Sequence, residues 1–350
     1  MLTLSIVIPV HDGAAVLPQC LEALKRSPDP AWECLVVEDG GSDGSFEIAQ
    51  ASGATVFRTP RNSGPATARN LGAAHATGDV LVFVDADVCV HADTLSRIRA
   101  RFESDPGLDA VFGSYDDEPP APNLVSQYKH LLQHYVHQHG RAAAATFWTG
   151  CGAIRREVFE ALGGFNEFYA RPCIEDIELG YRLRGAGGRI ALDPGIQAKH
   201  LKRWSLGTLL RSDILDRALP WTRLILRSTR LPDDLNVALS QRVSAALVLA
   251  SAALAVAGLV AGAPLALAGL TLAAAVVLNR EFYGFLVRKR GWGILAGALP
   301  LHLAYFLYST LAFAAGAAMH LVVWRWQAES SVTRPPVALL RNGARGPQQL

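Results

Sequence analysis

The sequence is poor in cysteine and contains no pair of cysteines with the spacing of a metal or redox motif. Its five cysteines are spread over the first half of 350 residues, and none forms a Cys-x-x-Cys pair. Zinc ribbons and thioredoxin-like sites are built on such pairs, so both classes are excluded. We expect free, buried thiols, which are typical of a reducing compartment, and therefore predict that this part of the chain lies in the cytosol.

Charged residues are missing from two long stretches, Val243 to Leu278 and Ile294 to Val323, which contain no Asp, Glu, Lys or Arg. An apolar run of about 20 residues is long enough for a helix to cross a bilayer. The first stretch is too long for one span and is divided by Gly-Ala-Pro at residues 262–264, so it predicts two short spans. With the second stretch, we expect about three transmembrane helices within residues 241–326, followed by a flexible tail at residues 327–350.

Positive charge is local rather than general. The formal net charge is +2, and no run of Lys and Arg is interleaved with aromatic residues, so a nucleic-acid partner is excluded. Residues 205–240 mix leucines with arginines, which is typical of interfacial amphipathic helices that contact a lipid bilayer and its anionic headgroups.

The side of the membrane is also predicted from charge. The basic run at residues 288–290 favours the cytosolic side, and the first residues lack the basic region of a signal peptide. The sequence therefore predicts a multi-pass protein of the cytoplasmic membrane whose N-terminal domain, residues 1–204, faces the cytosol.

Strand-like and helix-like segments alternate through the first hundred residues. Strands are predicted at Leu4–Val10, Trp32–Glu38, Thr55–Arg58 and Val80–Asp85, each followed by a helical pattern. Continuously apolar strands of this kind are covered by helices on both faces. The pattern predicts an α/β fold with a mostly parallel sheet, in which ligands lie beyond the carboxyl ends of the strands. Residues 105–125, rich in Pro, Asp and Gly, are predicted to form a loop.

Two aspartates lie at the end of the fourth predicted strand. Asp85 and Asp87 are separated by Ala86, and in an extended segment residues i and i+2 point to the same side. Both carboxylates could then bind one hard divalent cation that also contacts two phosphate oxygens. The alternative is a solvated turn, which an isolated Asp-x-Asp forms more often than a metal site.

A turn-rich loop follows the second predicted strand. It begins with Glu38, Asp39 and Gly40, and a carboxylate there could accept a hydrogen bond from a base N–H. The glycines would let the backbone approach a nucleotide. The alternative is an ordinary turn in which Asp43 caps the next helix.

The loop after the third predicted strand leads into a helix. Asn62 precedes the pair Gly64-Pro65, which marks the helix start, and Arg69 lies one turn inside. Its guanidinium could reach a nucleotide or a metal-bound carboxylate. Taken alone, this segment is an ordinary helix start.

In this order, these segments resemble the family 2 glycosyltransferases of the GT-A fold. The resemblance covers roughly residues 3–205 and implies a nucleotide-sugar donor with a tilt toward UDP, a Mg²⁺ or Mn²⁺ cofactor, and inverting transfer in a single displacement. The family's aspartate pair after the second strand appears here as Glu38 and Asp39, which makes Asp39 the better candidate for the base contact. The segments that carry the resemblance are Ser5–His11, Glu38–Ser45, Asn62–Gly72, Gly78-Asp79 and Asp85–Asp87. The donor-binding residues that it implies are Pro9, Val10, His11, Glu38, Asp39, Gly40, Asn62, Gly64, Arg69, Asp85 and Ala86.

Three later segments are similar to the same family. Trp148–Glu157 and Leu162–Glu167 resemble its acceptor-side loops, and Glu175–Leu183 resembles its Glu-Asp motif, in which the aspartate is the general base. The resemblance therefore implies that Asp176 takes the proton from an acceptor hydroxyl. The alternative is that Asp176 caps the following helix. The acceptor-side residues that the resemblance implies are Trp148, Thr149, Gly150, Glu175, Arg203 and Trp204.

The segment Lys199–Trp204 is a partial match to the Gln-x-x-Arg-Trp motif of processive family members, with His200 in the place of the glutamine. This difference argues against a polymer-extruding synthase. In non-processive relatives a histidine here reaches the metal or the pyrophosphate. The resemblance thus implies a metal site formed by Asp85, Asp87 and His200.

Three functions are compatible with these motifs. The first is transfer of a sugar to a hydroxyl of a membrane lipid or lipid-linked saccharide. The second is a polyprenyl-phosphate glycosyl synthase, whose acceptor is already an anion and needs no base, so the Glu175-Asp176 motif favours the first. The third is a membrane scaffold that binds nucleotide without turnover, and the presence of Asp85, Asp87 and Asp176 argues against it.

Overall fold

The structure is a computed structural model that describes residues 1–228 and 232–322. These residues fall into two compact units. The first contains residues 1–120 and 140–202, and the second contains residues 121–139 and 203–322 apart from the gap. The tail expected at residues 327–350 lies outside the described residues.

The first unit is built on an eight-stranded sheet whose strands are ordered β3-β2-β1-β4-β7-β6-β8-β5. The strands are β1 Leu4–Val10, β2 Trp32–Glu38, β3 Thr55–Arg58, β4 Val80–Val84, β5 Val88–Val90, β6 Ala110–Tyr115, β7 Cys151–Arg155 and β8 Ile190–His200.

The α-helices belong to both units. Those of the first unit are α1 Leu17–Lys25, α2 Ser45–Ala51, α3 Pro65–His75, α4 Thr94–Ser104, α6 Arg156–Ala161 and α7 Glu175–Gly185. Those of the second unit are α5 Leu124–Gln138, α8 Leu206–Arg211, α9 Leu219–Ser228, α10 Leu239–Ala261, α11 Leu265–Leu278, α12 Arg280–Arg290 and α13 Leu295–Val322.

The parallel part of the sheet confirms the predicted α/β pattern. Strand β1 pairs in parallel with β2 and with β4, and β2 pairs in parallel with β3. All five residues of β4 are buried, because helices pack on both faces of the sheet. The carboxyl ends of β1, β2 and β4 therefore meet at one edge. The unit has a curled, mostly parallel sheet, as the resemblance noted in the sequence implies, and apolar helices follow it in the chain.

The prediction of a loop over residues 105–125 is wrong, because this segment contains β6. The strand lies between β7, with which it is antiparallel, and β8, with which it is parallel, and all six of its residues are buried. The segment is short, carries Gly113 in its middle and is flanked by turn residues. Its local pattern is therefore weak, and pairing with two distant strands determines its conformation.

Strand β6 is irregular at Gly113. The pairing with β8 runs from Ala110 with Ile190 to Phe112 with Leu192. It resumes at Ser114 with Gln197, so the register shifts between Phe112 and Ser114. A Cβ atom at Gly113 would lie 2.1 Å from the carbonyl oxygen of Ile196. Only a glycine allows this approach of the two backbones, and such irregularities re-aim the side chains that follow.

The second unit is helical. Tyr128, Leu131 and Leu132 of α5 pack in one buried cluster with aromatic and aliphatic residues of α12 and α13. Residues Ser212–Ala218 form a π-helix between α8 and α9. Within it, the carboxylate of Asp213 lies 2.6 Å from the Lys129 ammonium group and accepts a 2.7 Å hydrogen bond from the Tyr308 hydroxyl.

Two helices of the second unit are long and apolar enough to cross a membrane, namely Leu239–Ala261 and Trp292–Val322. A third span results if α11 and α12, which are bent by 62° relative to each other, act as one. The length and composition of these helices suggest that the protein associates with a membrane. The basic run at residues 288–290, which is predicted to be cytosolic, lies at the end of α12.

We predict that Gly113→Ala destabilises the first unit by about 1 to 3 kcal/mol, because the added methyl group must push the β6 and β8 backbones apart. The matched control is Gly185→Ala at the end of α7, where a Cβ atom meets nothing within 4 Å. Thermal unfolding of the detergent-solubilised protein is followed by tryptophan fluorescence. The unfolding midpoint should be lower than that of the wild type for Gly113→Ala and unchanged for the control. Equal midpoints for the two variants would contradict this account of the strand.

Candidate active site

The ends of β1 and β2 are held together by backbone contacts. Pro9 and Val10 are the last residues of β1, and the Val10 carbonyl accepts a 2.7 Å hydrogen bond from the Asp39 N–H. His11 Nδ1 lies 2.8 Å from the carbonyl oxygen of Asp39. The first two strand-end loops thus form one continuous rim.

The carboxylate of Asp39 shapes the loop that leads into α3. It is 3% exposed and accepts hydrogen bonds from the Thr59 hydroxyl at 2.6 Å, the Ser63 N–H at 2.9 Å and the Gly64 N–H at 2.7 Å. A carboxylate has about four acceptor positions, so one more donor can be accommodated. The predicted contact with a nucleotide base stays a prediction, and any such contact would share Asp39 with this loop.

The side chain of Glu38 is directed at β3. Its Oε2 lies 2.7 Å from the Arg58 Nε, and its Oε1 accepts from the Gly41 N–H. The side chain of Glu38 is 1% exposed. Its ion pair with Arg58 therefore gives Glu38 a structural role, and its predicted donor contact stays a prediction.

Two glycines allow the loops to approach each other. Gly40 has a φ of 65°, and a Cβ atom there would lie 2.3 Å from the carbonyl carbon of Arg61. Gly64 has a φ of 92°, and its Cβ atom would lie 2.6 Å from the backbone of Ala170. Both glycines are thus required by packing within the chain. Asn62, between these contacts, is exposed.

Arg69 of α3 joins the strand-end aspartates to the start of α7. Its Nη2 lies 2.7 Å from Asp85 Oδ1 and its Nη1 lies 2.8 Å from Glu175 Oε1, while the side chain is 4% exposed. Burial alone would lower the pKa of Arg69, but the two carboxylates raise it above its usual value. Arg69 is therefore a permanent cation at the centre of the site.

Asp85 and Asp87 have different surroundings. Burial raises the pKa of Asp85, and Asp87 adds to that rise while Arg69 opposes it. Burial would also raise the pKa of Asp87, but His200 and Lys202 together hold it below its usual value. Asp87 is thus ionised at neutral pH. Ala86 lies half-buried between the two aspartates.

His200 lies between Asp87 and an aromatic ring. Its Nε2 is 3.3 Å from Asp87 Oδ2, and β8 pairs His200 with Val88 of β5. On its other side the imidazole stacks on Tyr115, with ring centroids 4.3 Å apart and an interplanar angle of 14°. The sequence did not indicate Tyr115, because it lies in the strand that was predicted to be a loop.

The residues predicted to bind a metal ion have suitable chemistry. Carboxylate oxygens and an imidazole nitrogen are ligands for Mg²⁺ or Mn²⁺. One oxygen of Asp85 is shared with Arg69, so a cation would need ligands from elsewhere, which the phosphates of a nucleotide could provide. Over residues 1–228 and 232–322, no three His, Cys, Asp or Glu side chains are grouped to hold a metal by themselves. The residues therefore fit a cation that binds together with a diphosphate.

Asp176 lies in the first turn of α7 and contacts the loop before β7. Its Oδ1 accepts a 2.7 Å hydrogen bond from the Ile177 N–H, and its Oδ2 lies 3.2 Å from the Thr149 nitrogen. Next to Thr149, Gly150 leaves room for the ring of Trp148, which makes an edge-to-face contact with Tyr115, with centroids 4.6 Å apart. Glu175 and Asp176 are neighbours in sequence, yet they contact Arg69 and Thr149 respectively.

The structure thus brings most predicted residues of the first unit to one edge of the sheet. Arg203 and Trp204 belong to the second unit. Arg203 is exposed there, whereas Trp204 is buried, and its N–H donates a 2.8 Å hydrogen bond to the Ser126 hydroxyl. Their predicted acceptor contacts stay predictions.

Comparison with known proteins identifies the first unit. Residues 5–163 match the family described as Glycosyl transferase family 2. An uncharacterized glycosyltransferase of Haemophilus influenzae is 26% identical over 192 residues, which are 51% of this chain and 61% of that protein. A PGL/p-HBAD biosynthesis glycosyltransferase of Mycobacterium bovis is 33% identical over 115 residues, 31% of this chain and 45% of that protein. The chain therefore spans less than two thirds of the curated relatives it matches.

A solved structure supports the fold. The mannosyltransferase from Pyrobaculum calidifontis in complex with GDP-Man and Mn²⁺ superimposes with a TM-score of 0.60 at 20% identity, over 94% of this chain and 88% of that protein. At this identity the similarity concerns the fold alone. The family match, in contrast, includes the strand-end loops, Arg69 and both aspartates after β4. The chain therefore carries a family 2 glycosyltransferase domain with a GT-A-like fold.

Proposed function

We propose that this protein transfers a sugar, with inversion, from a nucleotide-sugar to a hydroxyl of a membrane lipid or lipid-linked saccharide. The observation that carries this proposal is the bridge of Arg69 between Asp85 and Glu175. It fixes the aspartates that would meet the donor relative to the helix that carries Asp176. A donor diphosphate and a general base would then be held in one rigid frame, as direct displacement requires.

The chemistry assigns separate tasks to the two ends of this frame. Asp176 accepts the proton of the acceptor hydroxyl as the hydroxyl oxygen bonds to the anomeric carbon and the bond from that carbon to the diphosphate breaks. Its position at the start of α7, where the helix dipole favours negative charge, supports an ionised carboxylate. Asp85, Asp87 and His200 would hold a Mg²⁺ or Mn²⁺ ion, which neutralises charge on the leaving diphosphate when bound. The mannosyltransferase with the similar fold was solved with Mn²⁺ and GDP-Man, which supports this class of donor.

We predict that Asp176→Asn lowers sugar transfer by about 10²- to 10⁴-fold, because the amide keeps the shape of the side chain but cannot take a proton. Donor affinity should be close to that of the wild type, since the contacts of Asp176 include Thr149 and Ile177, which lie far in sequence from the strand-end loops. The matched control is Asp93→Asn, which removes a carboxylate at the start of α4 that forms a surface ion pair with Arg97. The measurements are transfer with UDP- and GDP-sugars and donor binding by calorimetry.

Three outcomes would contradict this assignment in different ways. Loss of donor binding in Asp176→Asn would make the carboxylate a donor ligand. Transfer to a polyprenyl phosphate by Asp176→Asn at the wild-type rate would favour the synthase, which needs no base. A wild-type protein that binds donor but neither transfers nor hydrolyses it would favour the scaffold.

We predict that nucleotide binding depends on a divalent cation. Asp87→Asn should lower the nucleotide affinity measured with the cation by about 10-fold or more, since a metal ligand is lost. EDTA should abolish transfer by the wild-type protein. The control is Asp193→Asn, which changes a half-buried carboxylate of β8 that pairs with Arg101. Full transfer by Asp87→Asn in EDTA would refute the metal site.

The proposed acceptor class rests on the helices of the second unit. Besides the two candidate spans, large aliphatic side chains of the preceding helices are exposed, including Leu206 and Leu215 at 51% each. Arginines accompany them in the same segment. We therefore propose that this segment lies on the bilayer surface, with the first unit in the cytosol.

We predict that a cysteine placed at Lys289, at the basic end of α12, reacts with a membrane-impermeant reagent only after cells are permeabilised. The positive-inside rule keeps this charged segment on the cytosolic side. A cysteine at Ala263, in the uncharged turn between α10 and α11, should instead react in intact cells. Labelling of Lys289→Cys in intact cells would contradict the proposed orientation.

A further inference from the structure

Tyr115 joins two parts of the site. Its ring stacks on His200 at 4.3 Å between centroids, and it makes an edge-to-face contact with the ring of Trp148, with centroids 4.6 Å apart and an interplanar angle of 82°. His200 contacts Asp87, and Trp148 precedes the Thr149 that contacts Asp176. Tyr115 is therefore in contact with residues on both sides of the proposed reaction. It is 4% exposed, so its role is exerted through its neighbours.

The backbone explains why the two rings meet. After the irregularity at Gly113, Tyr115 pairs with Ala198 of the parallel strand β8. His200 is two residues further along β8, and residues two apart in a strand point to the same face. On the opposite side of β8, the antiparallel pairing of His200 with Val88 brings Asp87 alongside. His200 thus lies between a ring and a carboxylate.

The ends of β6 and β8 are also tied together next to the stack. The residue after Tyr115 is Asp116, and its carboxylate lies 3.1 Å from the ammonium group of Lys199, the residue before His200. The Asp116 N–H donates a 2.8 Å hydrogen bond to the Ala198 carbonyl. Both contacts hold the strand ends in register, so the stack does not depend on side-chain packing alone.

We propose that Tyr115 is a positioning residue for His200, holding the plane of its imidazole so that Nε2 stays directed at Asp87 and the proposed cation site. The torsion that rotates an imidazole is broad, so an unsupported ring would have to be ordered when a cation binds. Contacts behind a metal-binding histidine set the orientation of its ring, and a flat aromatic face stacked on the imidazole of His200 would do so here. This inference rests on the proposed function, because it assigns Tyr115 to the same cation site.

The test compares variants that keep or remove the flat ring. Binding of Mn²⁺ in the presence of UDP or GDP is measured on the full-length protein from the spin-resonance signal of free Mn²⁺. Tyr115→Phe keeps the ring and should bind Mn²⁺ like the wild type. Tyr115→Leu removes it and should weaken binding by about 10-fold, the lower end of the loss seen when a partner of a metal ligand is removed.

Two controls separate positioning from general damage. In a His200→Gln background, Tyr115→Leu should cause no further loss, because its effect acts through His200. Phe57→Leu removes another aromatic contact to a histidine in the same unit, with His75 at 4.1 Å, and should leave Mn²⁺ binding unchanged. If Tyr115→Leu does not fold, Tyr115→Met replaces it, since the flexible thioether fills the space without a flat face.

The outcomes distinguish this inference from the proposed function. If Mn²⁺ binds the wild type and His200→Gln weakens it but Tyr115→Leu and Tyr115→Met do not, the positioning role is refuted while the cation site stands. An equal loss from Tyr115→Leu with and without His200 would also refute it. Absence of nucleotide-dependent Mn²⁺ binding by the wild type, or wild-type binding by His200→Gln, would overturn the site and the inference together.

Discussion

The buried guanidinium of Arg69 is the interaction on which the arrangement of the site depends. A cation that is 4% exposed is tolerated only if carboxylates balance it, and the fork of Arg69 reaches Asp85 and Glu175 at once. Asp85 follows a parallel strand and Glu175 begins α7, so one side chain fixes the distance between two elements that do not pair directly. The same ion pairs leave Asp87 and Asp176, the neighbours of the two bridged carboxylates, to make other contacts.

A second buried carboxylate performs a comparable task for the rim of the site. Asp39 accepts hydrogen bonds from a hydroxyl and two backbone N–H groups of residues 59–64. These donors would otherwise be buried without partners, which costs more than an exposed hydrogen bond contributes. Gly40 and Gly64 allow the chain to come this close. The loops that face a ligand are thus shaped by the protein's own polar groups before any ligand binds.

Polar groups are also paired in the second unit, where they are surrounded by apolar helices. Lys129 and Asp213 are 6% and 5% exposed, and the Tyr308 hydroxyl completes the group. Charges inside apolar helical regions are rare and are almost always paired. Asp213 belongs to a π-helix, a conformation that is uncommon and often lies at functional positions. This group joins α5 to the helices after residue 203, although the two are far apart in sequence.

The sequence by itself determined the parallel half of the sheet: β1, β2 and β3 begin and end where the apolar pattern predicts, and β4 ends one residue earlier, at Val84. It also indicated the family and the acidic strand ends, because these are runs of adjacent residues. Only the tertiary structure decided that residues 110–115 form a strand, that Arg69 pairs with Glu175 across 106 positions, and that Tyr115 stacks on His200. Local patterns record the preferences of neighbouring residues. Which distant groups meet depends on strand order and register, and these follow from packing the whole chain at once.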